Sequence, residues 1–315
     1  MAKSLTLLAV ALLAAEALAQ PAPQPPARCD GIRNDAERLA CHDRESGRRA
    51  AAPSLIGDAW ALDAGTERVE LNFYQPNYLL GWRHSDRVNA MPFSPRTGFG
   101  TQDSLDDDEV KYQISFKARL FVANGRRWGL WGAYTQQSHL QLYNEENSRP
   151  FRETNYMPEV MLVYDPQLEL AGWRLRLAGV GFTHQSNGRS APLSRSWNRL
   201  VGQLGVEKGD FAFILRPWMR IHEKAGGDDN PDITNYYGYG DLTLLYKVSG
   251  HSLNLMLRGN LREGKGAVQF GWTTPKMLGP LRGYVQIFSG YGESLIDYNW
   301  RQNTFGIGIA LNDLL

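Results

Sequence analysis

The stretch VKYQISFKARL, residues 110–120, alternates strictly between apolar and polar side chains. Successive side chains of a β-strand point to opposite faces, so this stretch predicts a strand with one apolar and one polar face. The same alternation recurs in four later segments, at residues 211–215, 253–257, 268–272 and 305–309. The sequence therefore predicts an all-β protein over most of its length.

Strand length distinguishes the classes of protein that such alternation allows. Strands of a soluble sandwich are usually short, whereas these segments run to about ten residues or more, with aromatic residues near their ends. This length favours a transmembrane antiparallel β-barrel with Lys and Arg lining its interior. Five aromatic residues are predicted to lie at the membrane interfaces, namely Trp128, Trp131, Tyr143, Trp173 and Trp218.

The predicted barrel domain covers residues 67–315. Its 249 residues allow roughly ten to fourteen strands, and because closure requires an even number we predict about twelve. Four turn-rich stretches are predicted to be the longer external loops, at residues 85–108, 144–155, 188–195 and 223–232.

Composition excludes two other classes of protein. The 315 residues include 34 Lys and Arg against 33 Asp and Glu, and this net charge of +1 provides no field that would attract nucleic acid. No stretch beyond the N-terminus has the roughly 18 consecutive apolar residues of a membrane-spanning helix. A soluble, exported β-rich domain and a transmembrane β-barrel remain.

Residues 1–19 have the form of a secretion signal. Lys3 precedes an apolar run, and Ala17-Leu-Ala19 has the small residues that signal peptidase requires. We predict cleavage after Ala19; an uncleaved anchor is the alternative, although the apolar run is too short to span a membrane comfortably. Residues 20–66 are then predicted to form a Pro-rich tether and a short, disulfide-linked periplasmic segment.

Cys29 and Cys41 are the only cysteines, and in an oxidising compartment one pair most simply forms one disulfide. A straight helix would separate them by about 18 Å, whereas a disulfide allows a Cα spacing of about 6 Å. The chain must therefore reverse, with a break at residues 30–31 and a short helix capped by Asn34 or Asp35. A metal or redox pair is the alternative, but the CxxC spacing and further ligands are lacking.

His184 and Ser186 are two residues apart in a predicted strand, so their side chains share a face. Val180 and Phe182 have the same phase, which places both polar residues in the apolar, lipid-facing set. Hydrogen-bonding groups left unsatisfied in lipid cost several kcal/mol. These side chains should therefore satisfy one another.

Asn198 falls in the lipid-facing set of the next predicted strand, in phase with Leu200. The intervening turn would bring it beside His184, so that the amide holds the imidazole while the imidazole takes the Ser186 proton. A neutral amide suits this position, because a carboxylate beside hydrocarbon would be more costly to keep charged. The Gly-x-Ser-x-Gly signature of many serine hydrolases is absent, and polar residues of the headgroup zone are the alternative interpretation.

These segments resemble the bacterial outer membrane phospholipase A family. The resemblance is strongest in HQSNGRS, residues 184–190, followed by SRSWNR, residues 194–199. Further similar stretches are PFRETNY at 150–156, DNPDIT at 229–234, SGYGESLIDYN at 289–299 and LNDL at 311–314. The resemblance extends from about Tyr74 to the C-terminus and leaves out the cysteine-containing segment.

The resemblance implies a twelve-stranded barrel in the bacterial outer membrane with a catalytic triad on its outer wall. Ser186 would be the nucleophile, His184 the general base and Asn198 its orienting partner. The Gly188 N–H would donate to the oxyanion. The implied activity is calcium-dependent hydrolysis of glycerophospholipid acyl esters, covering phospholipase A1, A2 and lysophospholipase reactions.

The resemblance also implies a Ca²⁺ site completed by dimerisation. Its ligands would be the carbonyl oxygen of Arg189, Ser194, and Ser148 of the partner subunit. Ala191 departs from the family pattern, in which an acidic residue can stand near the metal, and this leaves a second calcium site open. The carboxylates of residues 228–229 are alternative calcium ligands, or a solvated acidic loop.

Gln136 falls on the lipid-facing phase of the strand predicted over residues 130–142. An amide there needs a partner, and the same residue across a two-fold axis can provide one. The matching family position is a dimer contact. A β-bulge that turns Gln136 inward is the alternative.

We therefore expect an outer-membrane phospholipase whose partners are phospholipid substrate, outer-membrane lipids and a second copy of itself, and not nucleic acid. A non-catalytic, porin-like channel is the alternative; a soluble lipase is disfavoured by strand length. Arg189, Arg195 and Arg199 share one predicted hairpin, where they could bind lipid phosphate or be solvated loop charges.

Overall fold

The computed structural model describes residues 29–32, 34, 37–38, 41–42, 54–60, 70–102, 104–123, 127–146 and 151–315. The chain divides into two compact units, residues 1–52 and residues 53–315. The predicted signal peptide and Ser148 lie outside the described residues, as does the predicted tether up to residue 28.

The first unit contains the predicted disulfide. Cys29 and Cys41 are bonded, with their Cα atoms 5.5 Å apart, and a 3₁₀ helix over Cys29–Gly31 reverses the chain after the first cysteine. The side-chain oxygen of Asn34 accepts a hydrogen bond of 3.3 Å from the backbone N–H of Glu37, as expected of a helix cap. The prediction of a disulfide is confirmed.

The described residues of the second unit form strands and two five-residue helices. The helices are α1 (Leu55–Ala59) and α2 (Ile233–Tyr237). The strands are β1 (Glu70–Phe73), β2 (Tyr78–Ser85), β3 (Phe93–Ser94), β4 (Gly98–Phe99), β5 (Asp108–Val122), β6 (Trp128–Leu140), β7 (Phe151–Tyr164), β8 (Leu168–Leu170), β9 (Trp173–Ser186), β10 (Ser196–Lys208), β11 (Phe211–Ile221), β12 (Gly240–Val248), β13 (His251–Asn260), β14 (Lys265–Leu278), β15 (Leu281–Tyr291) and β16 (Arg301–Ala310). No helix among the described residues is long and apolar enough to cross a membrane.

Twelve of these strands form a closed antiparallel barrel. The order is β5, β2, β16, β15, β14, β13, β12, β11, β10, β9, β7 and β6, and β6 then pairs with β5. The short β1 also pairs with β5, and β8 pairs with β9, while β3 and β4 form a separate hairpin. The predicted fold class and strand number are confirmed.

Burial along β5 confirms which face points outward. Ser115, Lys117 and Arg119 are buried. Ile114 and Phe116, which have the opposite phase, are exposed. A barrel in a bilayer reverses the usual rule because its outer surface contacts lipid and its interior is polar. The apolar phase predicted from the sequence is therefore the outer wall.

Two of the five aromatic residues predicted at the membrane interfaces are placed differently. Trp128, Tyr143 and Trp173 are exposed, but Trp131 and Trp218 are buried. The alternating phase explains the difference, since Trp131 has the inward phase of β6 and Trp218 the inward phase of β11. Position near a strand end predicts depth in the membrane; phase decides which side of the wall a ring occupies.

The two ends of the barrel differ in the length of their connections. At one end, the loop end, lie the connections 86–107, 141–150, 187–195 and 222–239, which correspond to the predicted external loops. At the other end, the turn end, strands are joined by connections such as 209–210, 249–250 and 279–280. The second predicted loop is too long, because β7 already begins at Phe151.

The helix α1 packs against inward-facing side chains at the turn end. Ile56 and Trp60 belong to one buried cluster with Trp131, Val163 and Leu177. These residues fall within the stretch 20–66 that sequence analysis assigns to the periplasmic segment, whereas the boundary between the compact units follows Ala52.

Ion pairs cross the interior of the barrel nearer the loop end. Glu109 pairs with Arg83 at 2.9 Å and also with Arg152, and Lys111 pairs with Glu293 at 2.9 Å. All five side chains are buried. The barrel wall is therefore fixed from within by charge pairs that join strands to one another and to the connection of residues 292–300.

Candidate active site

The hairpin of β9 and β10 carries the predicted catalytic residues on its outer face. In the register of these strands His184 lies opposite Asn198, and Ser186 lies opposite Ser196. The neighbouring residues of the same phase are exposed, Phe182 at 43% and Leu200 at 42%. All three predicted residues thus project from the outer wall close to the loop end.

His184 and Asn198 are in direct contact. The distance between Nδ1 of the ring and Oδ1 of the amide is 2.8 Å. Because an amide oxygen can only accept, Nδ1 carries the hydrogen in this arrangement and Nε2 is left with its lone pair. Ser186 lies two residues further along the same face of β9, so Nε2 is the ring nitrogen that can accept its proton.

The Asn198 amide has a second partner that sequence analysis misses. Its Nδ2 donates a hydrogen bond of 2.9 Å to Oε1 of Glu223. Ile221 is the residue of β11 opposite Asn198, and Glu223 follows it by two positions. The available signal is the alternating phase of β11 continued two residues past its end, which is hidden when residues 223–232 are treated as one loop.

The loop of residues 187–195 is organised by Asn187. Its Oδ1 accepts from the backbone N–H groups of Arg189 at 3.3 Å and Arg195 at 2.9 Å. Its Nδ2 donates to the carbonyl of Leu193 at 2.9 Å and to Glu153 Oε2 at 3.3 Å. Asn187 lies within the family-like motif of residues 184–190 but is not among the predicted site residues.

Gly188 occupies a position that only glycine fits without strain. Its φ is +64°, in the left-handed region that side chains disfavour. A Cβ atom there would stand 3.2 Å from Cε2 of Tyr156 on the adjoining outer wall. The predicted oxyanion donor, Gly188, therefore adopts a backbone conformation that a residue with a side chain would not adopt without strain.

The three arginines of this hairpin do not form one surface cluster. Arg189 donates to the carbonyl of Arg152 at 3.0 Å. Arg195 is fully buried, over the ring of Tyr298, and burial lowers the pKa of its guanidinium. Arg199 is buried on the inner face of β10, over Trp197. A shared lipid-phosphate site on these three residues is therefore not supported.

Oxygen atoms suited to a calcium ion lie beside this loop. Ser194 Oγ donates to Asp229 Oδ2 at 2.5 Å, and Oδ1 of the same carboxylate is paired with Arg96. Asp228 is paired with Arg220 at 2.5 Å. Within the described part of the chain there is no cluster of three or more His, Cys, Asp or Glu residues that could bind a metal. Hydroxyl, carbonyl and carboxylate oxygens nevertheless fit a hard cation such as Ca²⁺.

Gln136 has the predicted outward phase of β6, and its amide has partners within the chain. Its Oε1 accepts from the Tyr134 hydroxyl at 3.0 Å, and its Nε2 donates to the Tyr112 hydroxyl at 3.1 Å. The alternative of an inward-turned Gln136 is not observed, since the buried residue is its neighbour Thr135. An unpaired amide is thus no longer an argument for a dimer contact.

Comparisons with known proteins agree with this geometry. The family model for phospholipase A1 matches residues 58–311. A putative phospholipase A1 of Neisseria meningitidis is 43% identical over 249 residues, which cover 76% of this chain and 65% of that protein's length.

Two solved structures are similar over nearly all of their own chains. One is an active-site mutant of outer membrane phospholipase A from Escherichia coli in which an asparagine is replaced by alanine; it is 37% identical, with a TM-score of 0.74, and 83% of this chain is covered. The other is a Salmonella typhi outer membrane phospholipase dimer with bound calcium, 37% identical, with a TM-score of 0.73 and 84% of this chain covered. This chain belongs to the phospholipase A1 family of outer-membrane β-barrels.

Proposed function

We propose that this protein hydrolyses the acyl esters of glycerophospholipids at the outer wall of its barrel, with phospholipase A1, A2 and lysophospholipase activity. The observation that carries the proposal is the 2.8 Å contact of His184 with Asn198 on the lipid-facing side, two residues from Ser186. A substrate held in the bilayer reaches this face directly. The predicted signal peptide, residues 1–19, would direct the chain toward that membrane.

In the proposed reaction His184 Nε2 takes the proton of Ser186 while Oγ attacks the ester carbonyl carbon. Asn198 holds the ring through Nδ1 and stabilises the imidazolium. The backbone N–H of Gly188 donates to the oxyanion of the tetrahedral intermediate. The imidazolium then protonates the departing glycerol oxygen, and water, deprotonated by the same ring, releases the fatty acid from Ser186.

Calcium is the proposed cofactor, supported by the calcium bound in the Salmonella typhi relative. The Ser194 hydroxyl and the carbonyl of Arg189 would hold it, together with Ser148 of the partner subunit, a residue outside the described part of the chain. Asp229 lies beside Ser194 and offers a further oxygen. When bound, the ion would supply positive charge near the developing oxyanion.

A homodimer is the proposed active form, supported by the dimeric state of the same relative. Gln136 would lie in the contact, as the family resemblance implies. The hydroxyls of Tyr112 and Tyr134 already orient its amide, so any contact with a second copy would add to these bonds. Dimerisation would then bring the partner's Ser148 to the calcium site and regulate activity.

The alternative of a porin-like channel is opposed by the filling of the barrel interior. Buried ion pairs of Glu109 and Glu293 cross the interior, and Ile56 and Trp60 pack into the turn end. A conducting pore would need a continuous polar passage through these two layers.

Replacing Ser186 by Ala tests the proposal. The variant and the wild type are folded in detergent, and release of fatty acid from phosphatidylcholine is measured with calcium and with a chelator. We expect no hydrolysis by Ser186→Ala, whereas Ser289→Ala, which removes another outward-phase serine on β15, should match the wild type. Hydrolysis by Ser186→Ala at the wild-type rate would refute the proposed enzymatic function. Solute flux from vesicles without hydrolysis would favour the channel.

A further inference from the structure

The amide of Asn198 is held at both ends, by His184 at its oxygen and by Glu223 at its nitrogen. We propose that Glu223 is a positioning residue for catalysis, which fixes the Asn198 amide and places a negative charge behind the His184–Asn198 pair. This inference rests on the proposed function, because it assumes that Asn198 orients the catalytic base.

Strand register explains how a loop residue reaches the site. Asn198 on β10 lies opposite Ile221, the last residue of β11. Glu223 is two residues beyond Ile221, so it has the same outward phase and is the diagonal neighbour of Asn198. Side chains at such diagonal positions are within reach of one another when one of them is long.

Glu223 removes an ambiguity that every asparagine side chain has. The oxygen and the nitrogen of an amide are similar in shape, and a turn of 180° exchanges them. A carboxylate can only accept hydrogen bonds, so Asn198 must direct Nδ2 toward Glu223 and therefore Oδ1 toward His184. In the opposite orientation the amide would offer a donor to Nδ1 and favour the wrong tautomer of the imidazole.

The charge of Glu223 acts on the same pair. Ser186 loses its proton to His184 in the proposed reaction, so the imidazolium needs a compensating negative charge. Glu223 is half-buried at the start of the 222–239 connection, and the flanking His222 and Lys224 are exposed. A carboxylate here retains partial access to water, so it avoids the desolvation penalty that it would incur in place of Asn198. The neutral Asn198 amide thus transmits to His184 the effect of the Glu223 charge, which lies beyond the end of β11.

The experiment compares Asn198→Ala, Glu223→Ala, Glu223→Gln and the double variant Asn198→Ala/Glu223→Ala in the full-length protein. Ser186→Ala is included, and Glu263→Gln serves as the matched control because Glu263 is an exposed carboxylate in another connection at the loop end. The probe is a short-chain phosphatidylcholine in detergent micelles with calcium, and kcat and KM are determined separately. Thermal unfolding of each variant is recorded in the same detergent.

We expect Glu223→Ala to lower kcat by about ten-fold, the effect of losing one hydrogen bond to a charged group, with KM and the unfolding temperature unchanged. Glu223→Gln keeps an acceptor oxygen but loses the charge, and it should fall between wild type and Glu223→Ala. In the Asn198→Ala background, Glu223→Ala should have no further effect on kcat, because its influence passes through the amide. Glu263→Gln should leave both constants unchanged.

The possible failures are distinguishable. If Ser186→Ala remains active, the proposed function itself is wrong. If Ser186→Ala is inactive but Glu223→Ala keeps the wild-type kcat, only the role of Glu223 is refuted. An equal loss on both backgrounds, or a loss that follows a lowered unfolding temperature, would likewise refute positioning through Asn198.

Discussion

Asn187 uses both ends of one side-chain amide to shape the loop that contains Gly188. Its oxygen accepts from the N–H groups of Arg189 and Arg195, and its nitrogen donates to Leu193 and Glu153. The four bonds connect the start of the loop to its end and to strand β7. At the scale of single residues, these bonds order the loop around Gly188 in the absence of substrate, and the proposed oxyanion donor requires such a preset geometry.

Replacing Gly188 by Ala should reduce catalysis by changing the geometry of the proposed oxyanion donor. The added Cβ would stand 3.2 Å from Tyr156, on a backbone with a φ of +64°. The loop must shift to relieve this contact, and we expect kcat to fall roughly ten- to hundred-fold. Complete removal of an oxyanion donor typically lowers kcat by about a hundred- to a thousand-fold, so a displaced donor should cost less. Hydrolysis of phosphatidylcholine micelles with calcium measures the change.

Gly209→Ala is the matched control. Gly209 has a φ of +56° and lies in the tight connection between β10 and β11, where an added methyl group would have no atom within 4 Å. Both substitutions carry a similar backbone strain of about 1 kcal/mol, but only Gly188→Ala disturbs the site. Equal losses of activity in the two variants would contradict a specific role for the Gly188 N–H.

The sequence alone is sufficient to predict the outward positions of His184, Ser186 and Asn198, because phase follows from alternation. It is insufficient for Glu223, whose role depends on a register between β10 and β11 that places it beside Asn198. Strand pairing of this kind is set by the whole sheet and leaves no mark in the local sequence. The roles of the triad in catalysis stay predictions until they are measured.

At the scale of the secondary-structure elements, α1 depends on residues distant in the chain. Ser54 caps it by accepting from Gly57 N–H at 2.8 Å, and Glu207 on β10 accepts from Ser54 Oγ at 2.7 Å and from the N–H of Ile56 at 2.8 Å. A five-residue helix is not stable by itself, so these contacts and its packing in the turn end hold it. Arg174 also pairs with Glu207, at 2.9 Å.

Glu207→Gln should destabilise the barrel by loosening α1. The substitution removes the charge that binds Arg174 and weakens two buried hydrogen bonds, and we expect the free energy of unfolding to fall by about 1–3 kcal/mol. Urea unfolding in detergent, followed by tryptophan fluorescence, measures it. Glu169→Gln, an exposed carboxylate on β8 at the same end, should change nothing. Identical unfolding curves for Glu207→Gln and wild type would show that α1 contributes no stability.

The strands are predictable because alternation repeats within each of them, whereas α1 is not. Its five residues are too few to show a helical period, and its position is fixed by Glu207, 151 residues away from Ile56. The inward placement of Trp131 and Trp218 follows from phase, but their position near segment ends suggests the membrane interface instead. Elements defined by local periodicity are thus predictable, and those defined by long-range contacts are not.

At the scale of the whole molecule, Glu293 joins the loop end to the barrel interior. It lies in the connection between β15 and β16, outside the membrane-spanning strands, and pairs with Arg83 at 2.5 Å and Lys111 at 2.9 Å. Burial by itself would raise the pKa of Glu293, but the two cations outweigh burial and hold this pKa below its ordinary value. The carboxylate is therefore charged in the folded protein at any pH near neutrality.

This depressed pKa predicts an acid-dependent contribution to stability. A carboxyl whose folded pKa lies below its unfolded value of about 4.3 stabilises the fold above that pH, and the contribution is lost as the pH falls toward the folded pKa. Glu293→Gln should be less stable at pH 7 by about 3–5 kcal/mol, since buried Lys111 loses its paired carboxylate and buried Arg83 loses one of its two. The difference from wild type should shrink below about pH 4.

Urea unfolding in detergent at a series of pH values between neutral and acid tests this. The exposed Glu263→Gln variant should follow the wild type at every pH. A difference between Glu293→Gln and wild type that stays constant down to the lowest pH would show that the charge of Glu293 is not what stabilises the interior.

The pairing of β5 with both β2 and β6 has one more consequence. Each of the twelve wall strands is hydrogen-bonded on two sides, so the closed wall has no free strand edge to which another chain could add a strand. At this wall, two copies of the protein would therefore meet through side chains and lipid, and such contacts can form and separate without breaking a backbone ladder of the barrel. A reversible encounter within the plane of the bilayer is the kind of association that this architecture favours.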